Sequence, residues 1–122
     1  MSRKLDAAIA EALGYEVRKG AMDIEPKIIY VINGERYINI VLPYSTDGNA
    51  MLELDGEMRA RGWIVSEITY MPYDENKWLA EFAALDHAGY YSIFRGDTAN
   101  TMPEAVALAA YKALTGKEWI EP

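Results

Sequence analysis

Ile28-Ile29-Tyr30-Val31-Ile32-Asn33-Gly34-Glu35-Arg36-Tyr37-Ile38-Asn39-Ile40-Val41 is the stretch from which the fold is read. Its flanks, 28–32 and 36–41, are rich in β-branched and aromatic side chains, which suit a pleated surface. Asn33-Gly34 stands between them, and that pair adopts the positive φ angles of a type I′ hairpin turn. Pro43 closes the second strand, since it brings no N–H to a ladder. An antiparallel hairpin is thus the starting unit.

Upstream, residues 2–13 read as an amphipathic helix. Ser2 is placed to cap it, and Leu5, Ile9 and Leu13 recur every four residues. Gly14 is the expected stop. Residues 15–25 show no period, contain Gly20 and read as a loop.

Downstream, Tyr44-Ser45-Thr46-Asp47 precedes a helix over 47–61, whose first amides need an oxygen acceptor. Met51, Leu54 and Met58 form its apolar face, with Leu52 beside it. Gly48 and Gly56 lower its propensity by up to about 1 kcal/mol each against alanine and suggest a kink or a close contact. Gly62 ends it. Three strands follow: 63–70, 77–85 and 90–95. Tyr73-Asp74-Glu75-Asn76 and Asp86-His87-Ala88-Gly89 are the turns between them. Thr101-Met102-Pro103-Glu104 combines a capping box with proline in the first turn, and opens a helix over 102–115. Its body, Ala105-Val106-Ala107-Leu108-Ala109-Ala110-Tyr111, carries no charge, so it should be largely buried against a sheet. Gly116 stops it. The order αββαβββα, with antiparallel connections, reads as one α+β domain: a sheet with helices packed on it.

The chain has 122 residues, enough for one domain and one core. Cysteine is absent, which removes disulfides, thiolate metal sites and cysteine nucleophiles. No apolar run approaches a membrane span, and the first residues carry no signal-peptide core, so the cytosol is the expected compartment. A net charge of −7 disfavours nonspecific binding to DNA or to an anionic membrane.

Catalytic chemistry finds little support. His87 is the only histidine and falls in a turn, where a solvated side chain is the ordinary reading. Metal sites need several converging ligands, and no nucleophile elbow, phosphate loop or dinucleotide fingerprint is present. Asp55 with Glu57, and Asp74 with Glu75, read as solvated charges on a helix face and in a turn. An enzyme is not expected, and neither is a cofactor or a metal.

Binding chemistry is better represented. Nine tyrosines, three tryptophans and two phenylalanines are available. Trp78, Phe82 and Tyr91 fall in strands, where they either stack on a nucleobase or pack beneath a helix. Arg59 and Arg61 end the second helix and Arg95 ends the last strand. Guanidinium groups suit phosphate, but charges at a helix C-terminus or a sheet rim are the plainer reading.

Tyr44-Ser45-Thr46-Asp47-Gly48-Asn49-Ala50-Met51, the helix after it, Gly62-Trp63, Trp78, and Gly96-Asp97-Thr98 followed by Met102-Pro103-Glu104-Ala105 occur in an order that resembles the phage ABA-sandwich domain proteins. The resemblance covers about residues 40–115. Within that group it points to phage anti-Thoeris sponge proteins. These are non-enzymatic and sequester cyclic ADP-ribose isomers made by bacterial TIR immune enzymes, some also binding cyclic oligonucleotides. The resemblance implies a homodimer or higher homo-oligomer built through the 47–61 helix, acting in the cytoplasm of an infected bacterium. It implies an aromatic that stacks on adenine, for which Phe82 is the candidate with Trp78 and Tyr91 nearby. It also implies phosphate contacts from Arg59 or Arg61, with Arg95, Asp97 and Thr98 around the loop before the last helix. That loop, 97–103, is about three residues longer than the family's compact motif, and the last helix offers Lys112 but no arginine. The alternative is a phage structural or protein-interaction module without a small-molecule ligand, in which Phe82, Trp78 and Tyr91 are core.

Overall fold

The computed structural model describes residues 3–18, 25–85 and 88–121. The proposed cap Ser2, the loop residue Gly20 and the turn residues Asp86 and His87 lie outside the described residues.

The elements in chain order are α1 (Arg3–Ala12), β1 (Glu16–Arg18), β2 (Lys27–Ile32), β3 (Glu35–Ile40), α2 (Gly48–Ala60), β4 (Ile64–Met71), β5 (Lys77–Leu85), β6 (Tyr91–Arg95) and α3 (Met102–Thr115). The α+β class and the antiparallel pairing are as expected. Two details differ. A short strand, β1, replaces part of the 15–25 loop, so the order is αβββαβββα. The strands also form two three-stranded sheets, β1-β2-β3 and β4-β5-β6, rather than one. Glu16-Val17-Arg18 is too short to show a period, and it is held by pairing with Lys27, Ile28 and Ile29.

The hairpin register pairs Ile32 with Glu35 and Ile29 with Ile38 around Asn33 and Gly34, at φ 53° and 82°. Both angles are those the Asn-Gly pair was expected to supply. Asp47 is the N-cap of α2, and its carboxylate accepts the amides of Asn49 and Ala50 at 2.7 and 3.1 Å. The helix therefore starts one residue later than the sequence suggests. Thr101 caps α3 through the Glu104 amide, and Gly116 ends it in the left-handed conformation.

The core sits around α3. One side of this helix packs on β5 and β6, and other sides meet α1 and α2. Leu5, Ile9, Leu54, Met58, Phe82 and Val106 join its alanines in one buried cluster. Small residues let the backbones approach. Gly96 shows this most sharply, because a Cβ there would lie 2.6 Å from the Ala109 amide nitrogen. By contrast, Gly48 and Gly56 of α2 meet nothing within 4 Å, so no close contact explains them.

Asp6 has no counterpart in the sequence reading. It is fully buried on the inner face of α1, where it accepts the Ser45 amide at 2.9 Å and pairs with Arg3 at 2.6 Å. Arg3 also donates to the Val41 carbonyl. This network ties α1 to the segment that leads into α2.

Candidate functional site

The arginines expected to meet phosphate are all engaged by carboxylates. Arg59 pairs with Asp55 at 3.0 Å, one helical turn away. Arg61, the C-cap of α2, donates to the Glu57 carbonyl at 2.8 Å and the Leu13 carbonyl at 2.5 Å, with the Glu57 carboxylate 3.5 Å away. Arg95 directs Nε and Nη2 at one oxygen of Glu81, at 3.1 and 3.0 Å. Glu81 neutralises it on the exposed face of β5.

Phe82 has no accessible surface. It lies between Val65 and Phe94 in the register of the second sheet and belongs to the core cluster. A ring enclosed in this way stacks on core side chains rather than on a ligand, which corrects the expectation placed on it. Tyr91 is exposed, but it pairs with Leu85 at the far end of β5 from Trp78.

Three of the expected residues do come together. Trp78 exchanges two backbone hydrogen bonds with Ala99, at 2.7 and 2.9 Å, so the loop carrying Asp97 and Thr98 is sewn to the start of β5. The carboxylate of Asp97 accepts the Thr98 amide at 2.8 Å. Residues not singled out beforehand complete this corner. Tyr70 lies opposite Trp78, their ring centroids 5.0 Å apart, and its hydroxyl donates to Asn76 at 2.8 Å. Lys77 donates to Asn100 at 2.6 Å. A hairpin centred on Asp74 places Tyr70 across from Trp78, so this pairing was readable from the 73–76 turn. Glu104, in the first turn of α3, has its pKa raised by partial burial, against the opposing charge of Lys77. The corner thus offers a half-buried indole, an exposed phenol, an ammonium and the start of a helix.

A second feature is a cleft of about 290 Å³ lined by Tyr15, Ile28, Leu42, Tyr44, Glu53, Gly56 and Glu57. It lies where α2 faces β2 and the residues flanking β1 and β3. Gly56 leaves its wall open, because nothing occupies the space its missing Cβ would enter. Both tyrosines hold their protons more tightly than usual. For Tyr15 the causes are a hydrogen bond with Glu57, then burial and the Glu57 charge, with Arg61 opposing. For Tyr44 burial dominates, followed by the Glu57 charge. Glu57 therefore faces a cleft, not the open solvent expected of it. Nothing local to Glu57 signals this, since Tyr15 sits in the aperiodic segment and reaches Glu57 only through tertiary packing.

Among the described residues, no group of three or more His, Asp or Glu side chains is placed to hold a metal ion. No helix among them is long and apolar enough to cross a membrane. The chain matches no family model, no curated protein and no solved structure.

Proposed function

We propose that this chain is a non-enzymatic phage sponge that binds and sequesters cyclic ADP-ribose isomers made by bacterial TIR immune enzymes, in the cytoplasm of the infected host. The observation that carries the reading is the corner where Trp78 and Tyr70 adjoin Lys77 and the 97–101 loop. Trp78 and Tyr70 supply π surface for adenine, worth about 1–3 kcal/mol per stacked base. Lys77 supplies positive charge for phosphate, and Thr98 and Asn100 supply polar partners. The order of motifs shared with the phage ABA-sandwich proteins supports the same reading. Assembly through α2 belongs to the proposal, because Leu52, 62% exposed, and Arg59 lie uncovered on that helix.

The test is to incubate the protein with TIR-generated cyclic ADP-ribose isomers and analyse the retained ligand by mass spectrometry after denaturation. Tight retention and release of intact ligand are expected, with Trp78→Ala weakening retention at least tenfold. Absence of retention, or recovery of a hydrolysed product, overturns the reading.

A second reading, a protein-interaction module without a small-molecule ligand, is favoured by the outer face of the second sheet. There Ile64, Ala83 and Ile93 stand in one row across three strands, with Leu85 and Tyr91 in another pair. All but Ala83 of these five are exposed. Contiguous apolar surface of this kind marks interaction sites.

A further inference from the structure

We propose that the cleft between α2 and the first sheet is a binding site for a small organic ammonium, a primary amine on a short apolar or aromatic stem. Four features of the lining carry the assignment. Glu53 and Glu57 place two carboxylates on one wall. Glu53 makes no ion pair among the described residues, so its charge is uncompensated; Glu57 is only partly offset by Arg61, whose two short hydrogen bonds go to backbone carbonyls. Tyr44 is 3% exposed, lines the cleft and has no hydrogen-bond partner for its hydroxyl among the described residues. Its hydroxyl oxygen opens on the cleft rather than being sealed in the core, so an ammonium can donate to it. Tyr15 adds a second aromatic ring, and cations are attracted to the faces of such rings. Ile28 and Leu42 provide apolar contact for a stem, and Gly56 keeps the space open.

The volume lies at the lower end of ligand clefts, which fits a small molecule rather than a peptide or a dinucleotide. The carboxylates repel phosphate, so the cleft is chemically distinct from the Trp78 corner. Both tyrosines hold their protons more tightly than usual, and their neutral hydroxyl oxygens remain able to accept from an ammonium, which only donates. The assignment does not depend on the sponge reading.

The experiment is amide NMR of the full chain titrated with tyramine, and separately with 4-ethylphenol, its closest uncharged analogue. Tyramine should give saturable shifts at Tyr15, Tyr44, Glu53 and Gly56, at least tenfold tighter than 4-ethylphenol. Glu53→Gln should weaken tyramine about five- to tenfold without changing the fold. Gly56→Leu, which fills open space, should abolish the shifts while the other amide resonances stay in place. Should Gly56→Leu fail to fold, Glu53→Gln decides alone. No saturable shifts, equal binding of both probes, or indifference to Glu53→Gln overturns the proposal. So does displacement of tyramine by a cyclic ADP-ribose isomer, which would give the cleft to the nucleotide.

Discussion

The buried carboxylate of Asp6 accepts the backbone amide of Ser45, 39 positions along the chain, at 2.9 Å. Its second oxygen meets Arg3 at 2.6 Å. The pair anchors α1 beside the Pro43–Asp47 turn, whose last residue caps α2. Replacing Asp6 with alanine leaves the Ser45 amide buried without an acceptor and Arg3 with only the more distant Glu25 carboxylate, 3.8 Å away. Hydrogen bonds to charged groups contribute about 1.5–3 kcal/mol each. Asp6→Ala should therefore lower unfolding free energy by at least about 2 kcal/mol. Asp6→Asn keeps an acceptor for Ser45 and should cost clearly less. Urea unfolding of the two variants checks the order.

The glycines of α2 and of the β6–α3 connection should behave in opposite ways. At Gly96 a methyl group would collide with backbone of α3, which has no flexible side chain to yield. Overpacking costs about 1–3 kcal/mol, and a backbone obstacle puts Gly96→Ala at the upper end. Gly56 lies in a helix beside open space. There Gly56→Ala should stabilise the protein by up to about 1 kcal/mol through helix propensity. Thermal melts of the two alanine variants give opposite shifts in Tm if this packing holds.

The Asn-Gly hairpin, the Thr101 cap and the alanine-rich helix were legible because each depends on neighbours within a few positions, whereas the choice of Asp47 over Ser45 or Thr46 as the cap of α2 was not. Val17 was not, since a three-residue strand carries no period and takes its state from pairing with Ile28. Asp6 looks like a solvated helix residue, and only the distant Ser45 amide makes it a core group. Phe82 shows the same limit on the functional side. A ring in a strand could be read as stacking on a ligand or packing beneath a helix, and only the tertiary fold, which encloses Phe82 in the core, decides between them. Trp78 stayed partly accessible because it sits where β5 passes the end of α3, a matter of register between distant elements. The three arginines were identified as cations near element ends, yet Asp55, Glu57 and Glu81 decide what those cations do.

Alkaline pH should expose the state of Tyr44. Burial raises its pKa well above the ordinary value of 10.0, and the Glu57 charge adds to the effect. Below pH 10 both folded and unfolded chains keep the proton, so the contribution to stability is fully present. Above it the unfolded chain releases the proton first, and stability falls as pH rises toward the folded-state value. Tyr15, raised in the same direction, adds to the loss. Tyr44→Phe should flatten the decline between pH 10 and 12 relative to the parent. The check is Tm against pH, with tyrosinate absorbance showing late-titrating phenols in the parent.

Self-association should depend on which apolar surface is broken. Leu52 projects from the open side of α2, while Ile93 lies 57% exposed on the outer face of the second sheet. Each sits on a solvent-exposed surface, so a charge there should change fold stability by only about 0.5 kcal/mol or less. If copies assemble through α2, Leu52→Glu shifts the protein to monomer in light scattering after size exclusion, and Ile93→Lys leaves the oligomer intact. The reverse result would place the interface on the sheet and remove α2 from the proposed assembly. A parent that is monomeric at every concentration would remove assembly through α2 from the proposal.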